Sequence, residues 1–165
     1  MFIFKTCSPE ETFDFGRQIA KHTSDGFKIC LKGDLGAGKT LLVQGIAAEL
    51  KATDDVTSPT FSILNIYNAK LTIYHFDLYR LDRTEELFDI GFYEYINCGG
   101  LTIIEWPDKF IEEMPQEHLW IEIKPGDITT ERLIEVKSNG VKYQQVCEEL
   151  KTVANSCFRY GHPCV

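Results

Sequence analysis

An α/β fold, with a central and mainly parallel sheet flanked by antiparallel strands and helices, is what the order of elements predicts. Three observations carry this reading. The glycine-rich turn Gly33-Asp34-Leu35-Gly36-Ala37-Gly38-Lys39-Thr40 follows a short apolar run, Phe27 to Leu31, and precedes a segment, Leu41 to Leu50, with apolar residues at helical intervals. Leu101-Thr102-Ile103-Ile104-Glu105 is a brief, nearly continuous apolar run, the pattern of a central strand covered on both faces. Phe61 to Tyr67 and Leu71 to Phe76 are strand-like and separated only by Asn68-Ala69-Lys70, which leaves room for a hairpin, so an antiparallel pair is added to the sheet.

The remaining elements follow in order. Ser8 is placed to cap a first helix, with Pro9 at its first position and Glu10 and Glu11 in its first turn, and apolar residues at 13, 15, 19 and 20 carry it to about His22. Ser24-Asp25-Gly26 turns the chain into the strand before the glycine-rich loop. The polar stretch Lys51 to Thr60 has no periodicity and is expected as a mobile surface loop. Arg83 to Phe88 reads as a short helix capped by Asp82, Gly91 breaks it, and Phe92 to Tyr95 adds another turn. Leu119 to Lys124 and Leu133 to Lys137 alternate as strands on either side of Pro125-Gly126-Asp127. A closing helix runs from Val141 to about Phe158, with Tyr143, Val146, Leu150, Val153 and Ala154 on one face and a tail from about 155 to 165.

Bulk properties narrow the function. A chain of 165 residues with 44% apolar composition suits one domain, 1–165, with a packed core. It contains no run of about 20 apolar residues, as a membrane span requires, and no basic, apolar leader, so a cytoplasmic location without membrane association is expected. The six cysteines form no C-x-x-C pair and are expected as free thiols, Cys30 and Cys147 serving as small hydrophobes. Zinc is not expected; the nearest ligand set, Cys157, His162 and Cys164, lies in the tail. A net charge of −8 makes the chain a poor autonomous binder of nucleic acid, so any polynucleotide is expected to be held by a partner.

The loop fits G-x-x-x-x-G-K-[ST] at every fixed position, and its strand and helix supply the context that a phosphate-binding loop needs. A P-loop NTPase fold binding a nucleoside triphosphate is the expectation. Glycines at 33, 36 and 38 admit backbone angles closed to other residues, so successive N–H groups converge on phosphate oxygens at a helix N-terminus. Lys39 is expected to reach the β- and γ-phosphates and the Thr40 hydroxyl to ligate Mg²⁺.

Hydrolysis requires more than a phosphate loop. Asp77, ending Tyr74-His75-Phe76-Asp77, and Glu105, ending Ile103-Ile104-Glu105, lie at the carboxyl ends of strands, where ligands of open α/β sheets gather. Both face the site if both strands run parallel to the loop-bearing one, and two carboxylates suit Mg²⁺. The alternative is that either acid caps a helix or pairs with Arg80 or Lys109. Thr57, Ser58 and Thr60 stand where phosphate-loop switches sense a γ-phosphate, although a plain Ser/Thr/Pro turn has the same composition. Trp106 is either core or a contact surface, and His75 beside Asp77 has the pattern of an ordinary hydrogen bonder.

Taken together, Gly33 to Thr40, Thr57-Ser58-Pro59-Thr60-Phe61, Tyr74-His75-Phe76-Asp77-Leu78-Tyr79-Arg80 and Glu105-Trp106-Pro107 resemble the successive motifs of the TsaE (YjeE) family, the small ATPases of bacterial tRNA threonylcarbamoyladenosine synthesis. The similarity runs from about residue 8 to about residue 126. It implies ATP hydrolysis linked to the partners TsaB and TsaD, which transfer the threonylcarbamoyl group to adenosine 37 of tRNA, with this chain driving or resetting their complex.

By position, the resemblance assigns phosphate binding to Gly33, Asp34, Leu35, Gly36, Ala37, Gly38, Lys39, Thr40 and Leu41 with Thr60, and Mg²⁺ ligation to Thr40 and Glu105. Asp77 supports the metal or the attacking water, and Thr6, Ser8 and Thr12 are candidates for adenine contacts. Leu41 and Gln44 depart from the Thr and Arg common in the family, which removes one charge. Arg80 is the single arginine next to a site motif. A small-molecule kinase is the rival enzyme, yet five arginines (17, 80, 83, 132 and 159) form no basic lid. The absence of N/T-K-x-D and D-x-x-G strings favours adenine over guanine, and a non-hydrolysing ATP-binding module is the third reading.

Overall fold

The structure is a computed structural model that describes residues 1–59 and 62–157. Its strands are β1 (Phe2–Thr6), β2 (Phe27–Lys32), β3 (Leu64–Tyr67), β4 (Ile73–Asp77), β5 (Leu101–Glu105), β6 (His118–Pro125) and β7 (Arg132–Asn139). The helices are α1 (Pro9–Ala20), α2 (Lys39–Glu49), α3 (Glu85–Asp89), α4 (Phe92–Tyr95) and α5 (Val141–Cys157), with a 3₁₀ segment at Pro107–Glu113. All seven strands form one sheet in the order β1-β7-β6-β2-β5-β4-β3. β6, β2, β5 and β4 are mutually parallel, while β3 and β7 run antiparallel to their inner neighbours and β1 antiparallel to β7. The parallel centre with antiparallel margins is therefore the expected architecture.

Alternation along the central strands sends side chains to two faces. Phe27, Ile29, Leu31, Leu101 and Ile103 pack with Ile121, Ile134 and Val136 against α1, α2 and α5. Cys30, Phe76 and Ile104 point the other way and meet Leu87, Phe92, Phe110 and Met114 from the short helices. Strands buried on both faces need near-continuous apolar sequence, which is why β5 is entirely buried.

The pairing of α1 with α2 depends on two glycines. A Cβ on Gly16 would strike the Leu42 carbonyl oxygen and one on Gly45 the Phe13 carbonyl oxygen, so the helices touch backbone to backbone. Sequence periodicity gives no hint of this contact.

Several boundaries differ from expectation. β1 escapes sequence reading; β7 pairs with it, and its inward Phe2, Phe4 and Thr6 are buried, Phe4 against the Phe15 ring and Thr6 against Thr12 of α1. The first strand of the hairpin starts at Leu64, after Ile63 adopts a left-handed φ of 66°. Asp82 does not cap α3. Its N-cap is Thr84, without a side-chain bond, and the Glu86 carboxylate instead accepts from the backbone N–H groups of Asp82 and Arg83 at 3.0 and 2.8 Å. Ser8 does cap α1, accepting from the Glu11 N–H at 3.2 Å, and Glu11 accepts in return from the Cys7 N–H at 2.7 Å, a variant of the capping box.

The free-thiol expectation needs one correction. Cys30, Cys98 and Cys147 are free, whereas Cys7 is disulfide-bonded. Pairing is decided by proximity of two sulfurs in the fold, and spacing along the chain carries no such information. The tail residues His162 and Cys164 and the Cys157 side chain lie outside the described residues. Among the described residues no helix is long and apolar enough to cross a membrane.

Candidate functional site

The glycine-rich loop connects the carboxyl end of β2 to the amino end of α2. Gly36 and Gly38 take left-handed φ values of 78° and 106°, which favour glycine. Gly33 does not adopt a left-handed φ. Its requirement is steric, since a Cβ there would lie 2.7 Å from the Ile123 carbonyl oxygen. Gly38 is the N-cap of α2 and makes no side-chain cap, so the first turn of an eleven-residue helix presents its amides and the positive end of its dipole to the loop.

Lys39 is buried beside this turn. Its ammonium donates to the carbonyls of Gly33 and Asp34 at 2.8 and 3.1 Å and stands 3.7 Å from Glu105 Oε2. It also lies 4.7 Å from the centre of the Trp106 ring. Trp106 holds a left-handed φ of 58°, an uncommon conformation for a bulky residue, and directs the chain into Pro107 and the 3₁₀ turn.

The two acids meet as anticipated. β4 and β5 run parallel to β2, and Asp77 is the register partner of Glu105. Neighbouring parallel strands at equal register project side chains to one face, so the carboxylates stand side by side. Asp77 is 4% and Glu105 2% exposed. Asp77 Oδ1 accepts from the Tyr79 N–H at 3.0 Å. Glu105 pairs with Lys39 and, through Oε1, with His75 Nε2 at 2.9 Å. Lys109 is engaged elsewhere, with the Tyr79 carbonyl at 2.6 Å and Asp82 at 3.2 Å.

These groups line one cavity of about 340 Å³. Loop residues Leu35, Gly36 and Gly38 meet Lys39, Thr40, Leu41 and Gln44 of α2, and Ser58, Asp77, Tyr79, Glu105 and Trp106 close the other sides. Gln44 also donates to the Val56 carbonyl at 3.0 Å, which ties α2 to the loop that carries Thr57 and Ser58. Thr60 lies outside the described residues. The donor set of one hydroxyl and two carboxylates is all oxygen. Among the described residues no three His, Cys, Asp or Glu side chains cluster to hold a metal alone. An all-oxygen set of this kind would suit Mg²⁺, which takes few protein ligands.

Thr6, Ser8 and Thr12 are not among the residues that line this cavity. Thr6 and Thr12 share a buried hydroxyl contact of 2.8 Å, and Ser8 is occupied as the α1 cap. Thr12 nevertheless approaches the loop, its methyl being 3.9 Å from the position of a Cβ on Gly38. Arg132 is a residue that sequence reading passed over. Its Nε donates to the Ala37 carbonyl at 2.7 Å and lies 3.5 Å from that same Gly38 position. The only signal was the β1–β7 register, which sets Arg132 opposite Thr6 and is invisible without the fold.

An α/β sheet whose glycine-rich strand-to-helix loop, buried lysine and paired carboxylates share one cavity defines the class of protein. The family profile "Threonylcarbamoyl adenosine biosynthesis protein TsaE" matches residues 6–134. The chain belongs to the TsaE family. It is similar to the tRNA threonylcarbamoyladenosine biosynthesis protein TsaE of Bacillus subtilis, 41% identical over 149 residues that cover 89% of this chain and 92% of the relative. The protein of the same name in Treponema pallidum is 37% identical over 117 residues, covering 71% and 87%. Among solved structures, the crystal structure of Bacillus subtilis YdiB superposes with a TM-score of 0.80 at 35% identity, over 93% of this chain and 96% of that one.

Proposed function

We propose that this chain is an Mg²⁺-dependent P-loop ATPase serving tRNA threonylcarbamoyladenosine biosynthesis, acting as a subunit with TsaB and TsaD rather than as the transferase. The observation that carries the reading is the convergence of the uncapped α2 N-terminus, Lys39 and the Asp77–Glu105 pair on one cavity. Membership of the TsaE family and the names of the relatives support the pathway.

The roles follow from chemistry. Amides of the Gly33–Thr40 loop and the first turn of α2 supply donors to phosphate oxygens, and Lys39 adds a buried positive charge. Thr40 and Glu105, with Asp77 beside them, would hold Mg²⁺, which when bound offsets charge on the phosphate chain. Asp77 would also orient a water. Trp106 covers the Lys39 ammonium with its ring and so limits solvent at the loop. Arg132, anchored to the Ala37 carbonyl, fixes the loop from the side of β7.

The net charge of −8 fits a subunit that meets tRNA through its partners. The test is orthophosphate release from MgATP by the pure chain, alone and with TsaB and TsaD. Weak turnover alone and stimulation with both partners is the expected result. Equal rates in both conditions would remove the coupling, and absence of any heat on titration with MgATP would remove the ATPase. A screen of phosphate acceptors that yields phosphorylated product without orthophosphate would instead indicate a kinase.

A further inference from the structure

We propose that His75 is a positioning residue for Glu105, fixing which carboxylate oxygen is presented to a divalent cation; the proposal rests on the metal-dependent reading of the cavity given above. His75 lies on β4 two residues before Asp77, so both side chains project to the same face, and β4 pairs in register with β5. The imidazole is fully buried and is not among the residues that line the cavity, whereas Glu105, 2% exposed, does line it.

The contact has one polar outcome. His75 Nε2 is 2.9 Å from Glu105 Oε1. A carboxylate offers acceptors only, so the tautomer assigned to this pair carries its proton on Nε2, and the ring N–H donates to Oε1. Oε1 is thereby committed to the imidazole, and Oε2 is left beside the cavity-lining Lys39 ammonium at 3.7 Å. Nδ1 has no hydrogen-bond partner among the described residues. The buried ring therefore directs its polar contact to Glu105 alone. An apolar side chain would fill the same place without an unpaired nitrogen, so fold stability gives little reason for a histidine here. Orientation of a ligand by a buried ring N–H gives a direct one: groups that fix a metal-binding side chain typically change metal affinity by about 10- to 100-fold when removed.

The test reads metal binding at equilibrium instead of turnover. Mn²⁺ is titrated into the chain saturated with a non-hydrolysable ATP analogue and followed by electron paramagnetic resonance, in the wild type, His75→Gln and His75→Met. Gln and Met have similar length, and only Gln keeps an N–H donor. His75→Met is expected to weaken Mn²⁺ binding about tenfold, with analogue affinity in EDTA unchanged, while His75→Gln recovers most of the loss. Wild-type Mn²⁺ affinity in His75→Met would overturn the proposal. A wild-type chain that binds the analogue but no Mn²⁺, or binds neither, would overturn the metal-dependent reading itself. Should His75→Met not fold, His75→Leu is combined with Glu105→Gln: if His75 acts through Glu105, its removal adds no further loss of Mn²⁺ binding in that background, and an undiminished further loss overturns the inference.

Discussion

Lys39 Nζ and Glu105 Oε2 stand 3.7 Å apart, both side chains buried, at the junction of the glycine-rich loop and the end of β5. Opposite charges from distant parts of the chain thus meet where a phosphate and a cation are expected to meet. Charge-assisted hydrogen bonds contribute about 1.5–3 kcal/mol each. Lys39→Met is accordingly expected to weaken MgATP binding by at least about tenfold, measured by calorimetry. Glu105→Gln keeps the shape and removes the charge; it should depress Mg²⁺-dependent hydrolysis more than nucleotide binding. Unchanged Mg²⁺-dependent hydrolysis would take Glu105 out of the metal shell.

A second expectation concerns the α1–α2 contact. A methyl group at Gly45 would collide with the Phe13 carbonyl oxygen, and the helices have no side chain there to yield. Overpacking of this kind costs about 1–3 kcal/mol or more. Gly45→Ala should lower the unfolding free energy by an amount in that range, read as a lower urea midpoint at an unaltered slope. A midpoint equal to that of the wild type would show that the helices part easily.

His118 provides a pH signature. Its Nδ1 lies 2.6 Å from the Pro115 carbonyl, and its Nε2 lies 2.8 Å from Asn139 Nδ2, the arrangement of a neutral ring that donates at one nitrogen and accepts at the other. Burial pushes its pKa below the usual 6.5, although the bond to Pro115 opposes the shift. The unfolded chain then binds the proton more readily, so this contribution to stability is full above about 6.5 and is lost as pH falls through the lowered folded value. Between pH 7.5 and 5.5 the wild type should lose more melting temperature than His118→Gln. Parallel losses in the two proteins would refute the assignment.

Thiol reactivity should separate the free cysteines. Burial pushes the Cys30 thiol up to about 12, which suppresses the reactive thiolate, and Cys147 is buried as well. Cys98 is exposed. Iodoacetamide applied to the native chain should therefore modify Cys98 well before Cys30 or Cys147, with all three modified in denaturant, as read by peptide mass mapping. Early labelling of Cys30 would contradict its burial.

What sequence could show was what is local. Gly33 to Thr40 announces itself because loop, lysine and hydroxyl are adjacent in the chain, and Asp77 and Glu105 are marked by their places at the ends of apolar runs. Their meeting depends on β4 and β5 both lying parallel to β2, a condition that periodicity cannot supply and the sheet fulfils. Arg132 and His75 were less accessible for the same reason. Each acts across strands, on Ala37 and on Glu105, from positions with unremarkable neighbours. β1 was missed because five residues with one inward face carry too short a pattern to mark a strand until β7 pairs with them. Cys7 belongs with these cases, since sulfur pairing is a fact of tertiary proximity.

The bare meeting of Gly16 with Gly45 has a mechanical corollary. Main chain resting on main chain leaves no flexible spacer between the two helices, so their separation at this point is set by the backbones themselves. Because α2 begins at Lys39 and α1 at Pro9, the same close contact fixes the spacing of the helix that heads the glycine-rich loop against the helix that follows the amino-terminal strand.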